Sequence, residues 1–373
     1  MKLYLDGMFF RSTGVGRLFD YLLATLLADP SIEALHTAVP AAEREPFLGA
    51  FPDPRVKPSF VPYGPMTLGD LFLKRRLLRA LREEVSLFVF PSHNVPLGAP
   101  RPFLVSVNDV TAFSPYFRVP WHREWRRSAF RWLLGRTLRR AARVVTISRT
   151  AERDLLEEFP GARGRTEVIH PWVADLFFEP PSPSAGASGA ELPEDYLLYL
   201  GLRIHHKNLD GILAAFERLA PEFPRLHLVI AGRRYRDPDM VDAWKRRSPL
   251  AARVLEIVGP DDAHVVQLLA GARAFVFPSF LEGFGLPPLE AMAAGVPVVC
   301  SDLPIFREVC GEAFRPVDPA RPESIASGVR EVLTDPALAF SLISAGRERA
   351  QRYRKQPSQA RYRELVRSLA LPT

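Results

Sequence analysis

The sequence predicts an α/β protein made of two doubly wound, Rossmann-like domains that face each other across a cleft. Short apolar runs rich in Val, Ile, Leu and Phe alternate with helix-period stretches through most of the chain. A polar, proline-bearing segment divides these runs into two sets. At 373 residues the chain also exceeds what one hydrophobic core usually serves.

In the first half the runs are Leu3–Leu5, Leu35–Val39, Leu87–Phe90, Phe103–Val107, Val144–Ile147 and Val168–Ile169. In the second they are Tyr196–Leu200, Leu226–Ala231, Val254–Val258, Phe275–Phe277 and Val296–Val299. Strands without polar alternation, each followed by a helical stretch, belong to parallel sheets covered by helices on both faces. Residues 179–194 carry no apolar periodicity and read as a linker. The first domain is therefore 1–178 and the second 195–355, with a last helix over Ala360–Leu371. In such sheets ligands bind beyond the carboxyl ends of the strands.

Composition narrows the class. With 47% apolar and 24% charged residues the chain matches soluble globular proteins, neither disordered nor fibrous. The 36 prolines are scattered and punctuate loops. Cys300 and Cys310 form neither a disulfide framework nor a zinc pattern and are expected to be buried thiols. Met1–Asp6 runs straight into a strand without the layout of a signal peptide, and no apolar stretch reaches the ~20 residues that span a bilayer. A cytoplasmic protein, soluble or held at the inner face of the membrane, is the expectation. The net charge of +7 suits an anionic partner: nucleic acid, a phospholipid surface or a phosphorylated substrate.

Two stretches carry the chemistry. Phe275–Pro278 leads into Ser279–Gly285, a loop with two glycines, and a helix starts at Pro287-Pro288 and stops at Gly295. Such a loop presents backbone N–H groups and the positive end of a helix, which suits phosphate. Glu282 lies in the loop and Glu290 near the start of the helix. The second stretch, Gly201–Asn208, crowds Arg203, His205, His206 and Lys207 into the turn after a strand, where a diphosphate would sit. The first half has a counterpart in Ser12–Arg17, with Gly14, Val15 and Gly16. As a dinucleotide fingerprint it is incomplete, because the third glycine position holds Phe19.

Together these segments resemble the retaining glycosyltransferases of the two-Rossmann (GT-B) fold, family 4, over nearly the whole chain. The most specific part is the two-glutamate motif, Glu282…Glu290; Lys207-Asn208, Ser301-Asp302 with Glu308-Val309, and Thr13–Arg17 are further family positions. The resemblance implies a donor substrate that is a nucleotide-diphosphate sugar. Glu290 would hold the ribose hydroxyls and Glu282 the transferred sugar. The amides of Gly283, Phe284, Gly285 and Leu286 would touch sugar and phosphate, and Lys207 with Arg203 would neutralise the diphosphate. It also implies that residues 356–373 pack back on the first domain. No metal or other cofactor is expected. Asp237-Pro238-Asp239 spells the Asp-x-Asp of metal-dependent transferases, but it follows Arg-Arg-Tyr-Arg rather than an apolar strand and reads as a helix start.

One departure concerns the acceptor side. Relatives often carry a His-Asp pair after the strand that here is Phe103–Val107, and this chain has Asn108-Asp109. Asn108 cannot titrate, which leaves Asp109 or the nearby His93 to take a proton from the acceptor. The basic segments Lys74–Arg82 and Arg118–Arg143, the second with Trp121, Trp125 and Trp132, read either as solvated helix faces or as a surface for anionic lipid. No nucleic-acid motif accompanies the charge. The function expected is hexosyl transfer (mannose, glucose or N-acetylhexosamine) to a glycan or lipid-linked acceptor in cell-surface polysaccharide or lipopolysaccharide synthesis. A nucleotide-sugar epimerase on the same fold, or a non-catalytic sugar-nucleotide-binding protein, are the alternatives.

Overall fold

The computed structural model describes residues 1–11, 14–110, 124–180, 192–235 and 239–370. These form two compact units, the first from residues 1–110, 124–171 and 356–370, the second from 172–355. Most of the 179–194 segment, together with Ser12, Thr13, Arg118, Trp121 and Asp237, lies outside the described residues, as do the side chains of Trp125 and Arg126.

The strands of the first unit are β1 (Lys2–Leu5), β2 (Ala34–Pro40), β3 (Val56–Val61), β4 (Leu87–Phe90), β5 (Phe103–Val107), β6 (Arg143–Thr146) and β7 (Thr166–Val168). They form one parallel sheet in the order β3-β2-β1-β4-β5-β6-β7. The second unit has β8 (Tyr196–Leu200), β9 (His227–Gly232), β10 (Val254–Val258), β11 (Ala274–Phe277), β12 (Val298–Ser301) and β13 (Arg315–Val317), in the parallel order β10-β9-β8-β11-β12-β13. In each sheet the direction of strand addition reverses once, between β1 and β4 and between β8 and β11. Loops leaving neighbouring strands diverge at such a switch point and open a site for ligand.

The helices α1 (Gly14–Leu27), α2 (Arg44–Ala50), α3 (Lys74–Ala80), α4 (Glu124–Arg140) and α5 (Arg149–Glu158) belong to the first unit. The second carries α6 (Leu209–Leu219), α7 (Met240–Lys245), α8 (Asp262–Ala270), α9 (Leu286–Ala294), α10 (Pro304–Cys310), α11 (Pro322–Thr334) and α12 (Pro336–Gln351). Helix α6 shows why they pack: Leu209, Ile212, Leu213, Phe216 and Leu219 share one face and are all buried. Each such side chain contributes about 1.5–3 kcal/mol on leaving water. The last helix, α13 (Lys355–Ala370), packs within the first unit from Gln356 onward. It buries Tyr362, Leu365 and Val366, and Arg367 donates to Asp29 Oδ2 at 2.8 Å. That bond, with those from Ser31, pulls Asp29 down to about 2.

Every strand expected from an apolar run is present, with bounds shifted by at most two residues. Two strands gave no such run, β3 and β13, and both are sheet edges. β3 carries Lys57, Pro58 and Ser59, and β13 carries Arg315 and Pro316. Edge strands tolerate proline and polar side chains because one flank needs no ladder partner. Both cysteines are free and buried. Among the described residues no helix is long and apolar enough to cross a membrane.

Lys74 departs from the expected cationic face. Its side chain is wholly buried, with Nζ 2.9 Å from Asp6 Oδ1 and 2.5 Å from Asp70 Oδ1. Burial works against its charge, but the two carboxylates outweigh it and raise its pKa. Tyr4 and Asn94 donate to Asp6 and Asp70, so the network ties β1, α3 and the loop after β4 together. Arg75, Arg76, Arg79 and Arg82 of the same segment are exposed.

Candidate functional site

The loops after β8 and β11 are neighbours because these strands pair in parallel, with Leu198 opposite Phe275. Phe280 N donates to His206 O at 2.8 Å, and the His205 and Phe280 rings stack at 6.1 Å. Asn208 locks the arrangement. Its backbone is left-handed (φ 57), a conformation that asparagine tolerates better than most residues. Its Oδ1 accepts from Gly211 N at 3.2 Å and caps α6, while Nδ2 donates to Pro278 O at 3.0 Å and Pro319 O at 2.7 Å. One side chain thus joins the start of α6 to the segments that follow β11 and β13.

On this frame Lys207 meets Glu282. Nζ and Oε1 are 2.6 Å apart, both side chains are largely buried, and the ammonium lies 5.1 Å above the Phe277 ring. Phe277 in turn stacks on Tyr199, whose hydroxyl donates to Leu202 O at 3.1 Å. Burial, with the charge of Glu282 next, pushes the Tyr199 hydroxyl far up, so it stays protonated. The ion pair is therefore held from below as well as across.

The loop 278–285 delivers the chain into α9. Gly285 caps the helix at φ 101, where a Cβ would lie 2.7 Å from Phe306 Cε1, so only glycine fits. Pro287 and Pro288 occupy the first turn and carry no N–H. The backbone N–H groups at this helix entrance belong to Gly285 and Leu286, next to those of Gly283 and Phe284 in the loop. Glu290 is buried one turn further along the helix. Behind the loop, Ser301 Oγ donates to Ser279 O at 2.6 Å, and Asp302 pairs with Arg307 at 2.7 Å.

Arg203 sits in the same loop as Lys207 but is fully buried among acids. Its Nη1 lies 3.0 Å from Asp239 Oδ2 and 2.5 Å from Glu256 Oε2. Burial raises Glu256, but Lys245 and Arg203 together hold it below its ordinary range. Asp239 also accepts from Val241 N and Asp242 N and caps α7, the helix start expected there. Nε and Nη2 of Arg203 find no acceptor among the described residues.

In the first unit, Gly14, Val15 and Gly16 form the first turn of α1. Gly16 allows close passage of the loop after β1, since a Cβ there would lie 2.5 Å from Phe9 O. Asn108 and Asp109 follow β5, and Asn108 Nδ2 approaches Pro91 O at 3.4 Å. Glu282, Glu290 and Lys207, the candidates from sequence, all lie in the second unit, while sequence reasoning gave no structural role to Asn208, Phe277 or Glu256. The Lys-Asn dipeptide after a strand was the available signal for Asn208.

Two family profiles match the chain almost end to end: Glycosyl transferases group 1 over residues 164–349, and Glycosyltransferase Family 4 over residues 14–175. The chain belongs to the group 1, family 4 glycosyltransferases. It is 34% identical over 161 residues to the O-antigen chain mannosyltransferase B of Escherichia coli, covering 43% of this chain and 42% of that one. It is 33% identical over 152 residues to the phosphatidyl-myo-inositol mannosyltransferase of Mycolicibacterium smegmatis, covering 39% and 38%. The matches thus span less than half the length of these relatives. The fold is GT-B, as in sucrose-phosphate synthase from Thermosynechococcus elongatus (TM-score 0.80, 19% identity, 99% of each chain). WaaG, a glycosyltransferase involved in lipopolysaccharide biosynthesis, is similar at TM-score 0.77 and 14% identity over 98% of this chain and 99% of that one. So is HepE of Anabaena in complex with UDP and glucose, at TM-score 0.74 and 18% identity over 99% and 100%.

The lock at Asn208 can be tested by itself. Asn208→Ala loses three hydrogen bonds, each about 0.5–1.5 kcal/mol, and adds a strained φ worth about 1–2 kcal/mol. Urea denaturation should show a loss of about 2.5–6.5 kcal/mol, with Asn208→Gly recovering only the backbone part. A loss below about 0.5 kcal/mol for the alanine variant would contradict the assigned role.

Proposed function

We propose that this chain is a retaining, metal-independent hexosyltransferase that takes its sugar from a nucleotide diphosphate and passes it to a glycan or lipid-linked acceptor in cell-surface polysaccharide or lipopolysaccharide synthesis. The observation that carries the reading is the buried Lys207–Glu282 pair beside the amide-bearing entrance of α9. The reaction replaces the bond from the anomeric carbon to the diphosphate with a bond to an acceptor hydroxyl oxygen, keeping the anomeric configuration. Negative charge grows on the leaving diphosphate as the bond breaks. Lys207 and the loop amides are preorganised to receive it, and loss of one such group typically costs on the order of 10² to 10³ in rate. Lys207 exchanges Glu282 for phosphate when the donor enters, which frees the Glu282 carboxylate for the sugar. Glu290 holds the ribose hydroxyls, and the buried Nε and Nη2 of Arg203, which have no acceptor among the described residues, are its remaining donors toward the diphosphate. Asp239 is already engaged by Arg203 and the start of α7, which supports chemistry without a metal.

A surface for anionic lipid belongs to the same reading. Leu68, Leu73 and Phe72 are 75%, 52% and 43% exposed and adjoin the exposed Arg75, Arg76 and Arg79. Apolar side chains beside cations suit the headgroup layer, where each cation contributes about 1 kcal/mol. Of the second basic segment, Arg131 is paired with Glu158 at 2.6 Å, while Trp132 is exposed.

Binding, turnover and lipid measurements check the proposal. UDP-, GDP- or ADP-sugars should raise the melting temperature, and transfer should survive EDTA. Glu290→Ala should weaken donor binding, whereas Lys207→Ala should depress turnover more than binding. Loss of transfer with chelator, restored by Mg²⁺ or Mn²⁺, would sink the metal-free mechanism. For the lipid surface, vesicle co-sedimentation should require anionic lipid, weaken as salt rises, and fail in Arg75→Glu/Arg76→Glu/Arg79→Glu. Equal binding to neutral and anionic vesicles would remove the lipid role.

A further inference from the structure

The amino ends of β5 and β6 gather positive charge that the donor loops, which belong to the other unit, do not use. These strands pair in parallel, with Leu104 opposite Arg143, and Ala142 N donates to Phe103 O at 2.8 Å. Arg101 and Pro102, which lead into β5, therefore lie beside the segment that joins α4 to β6. A cleft of about 460 Å³ opens there, lined by Arg101, Pro102, Arg139, Arg140, Ala141 and Ala142. Arg136, one turn before Arg140 on α4, adds its charge to the same place. Trp132, one further turn back along that helix face, is exposed.

The four guanidiniums lack a counter-charge. Among the described residues none of them meets a carboxylate, and Arg140 holds a single acceptor, Ala99 O, at 3.3 Å from Nη2. Burial, and then the charges of Arg101 and Arg136, pull the Arg140 pKa below its ordinary 12.5. The cluster thus works against itself. The carboxyl end of α4 does not account for it, because a helix end offers only about half a negative charge. Arg165 already donates to the last carbonyls there, at 2.9 Å to Leu138 O and 3.1 Å to Arg139 O. The lining carries no aromatic ring for a base and no carboxylate or amide side chain for sugar hydroxyls. Recognition in this cleft is by charge. Guanidinium forks match phosphate oxygens two at a time, which selects phosphate over a compact anion.

We propose that the cleft at the amino ends of β5 and β6 binds a phosphate-bearing anion, with Arg101, Arg136, Arg139 and Arg140 as its donors. The site stands apart from the transfer reading and from the α3 surface. A soluble phosphate compound and a lipid headgroup share the chemistry it recognises. An anion there replaces repulsion among the arginines with attraction, so binding orders the end of α4 against the start of β5.

Amide hydrogen exchange of the full chain tests this, with pyrophosphate as the soluble probe and phosphatidic-acid vesicles as the lipid one. Pyrophosphate should slow exchange in residues 99–103 and 136–143, an effect that weakens as salt rises. Potassium chloride at equal ionic strength should not reproduce it. Slower exchange in residues 202–208 reports the donor loops and is read separately. In Arg101→Gln/Arg136→Gln/Arg140→Gln the apparent affinity at the cleft should fall about tenfold or more. That variant should melt no lower than wild type at low salt, because the like charges are gone. Protection by pyrophosphate but not by vesicles assigns a soluble anion; protection by vesicles that the variant loses assigns a lipid headgroup. Protection by neither probe, or equally by chloride, overturns the proposal. So does a variant that melts well below wild type, which would make the arginines structural.

Discussion

Parallel pairing of β8 with β11 is the constraint on which the candidate site depends. Two adjacent strands that run the same way release their loops at the same end of the sheet, side by side, and those loops carry the lysine and the glutamate. Bringing Lys207 and Glu282 into one partly water-excluded place is costly for each charge alone and tolerable for the pair. Asn208 makes the tolerance permanent by joining the start of α6 to the segments that follow β11 and β13. The proline pair at the start of α9 removes two helix-end donors, so the N–H groups there belong to the glycine-bearing loop and Leu286.

The same economy of charge explains how a chain with net charge +7 folds. Several cations are spent inside the protein rather than on partners. Lys74 holds two carboxylates and Arg203 two more, while Arg253 donates to the carbonyls of Ala220, Phe223 and Leu226. Of the cations that remain outside, Arg75, Arg76 and Arg79 lie next to exposed leucine and phenylalanine.

The parts of the fold legible in the sequence were those with local causes. Strands buried on both faces must be continuously apolar, and Gly285 followed by two prolines can only be a turn into a helix. Edge strands β3 and β13 were invisible because half-exposed strands carry lysine, arginine and proline without penalty. Glu282, Glu290 and Lys207 stood out as candidates from loop and helix-start chemistry, whereas the partners of Arg203 lie 36 and 53 residues away along the chain. Lys74 looked like surface from its neighbours Arg75 and Arg76, but Asp70 one turn away and Asp6, 68 residues distant, hold it in the interior.

Amide hydrogen exchange with and without a nucleotide diphosphate tests the central claim most directly, because it locates the ligand on the fold rather than inferring it from rate. The account predicts that UDP or GDP slows exchange in residues 202–208 and 280–290 and leaves the loop after β1 and the ends of β4 and β5 unchanged. Protection confined to the first unit, with the β8 and β11 loops unaffected, would contradict it.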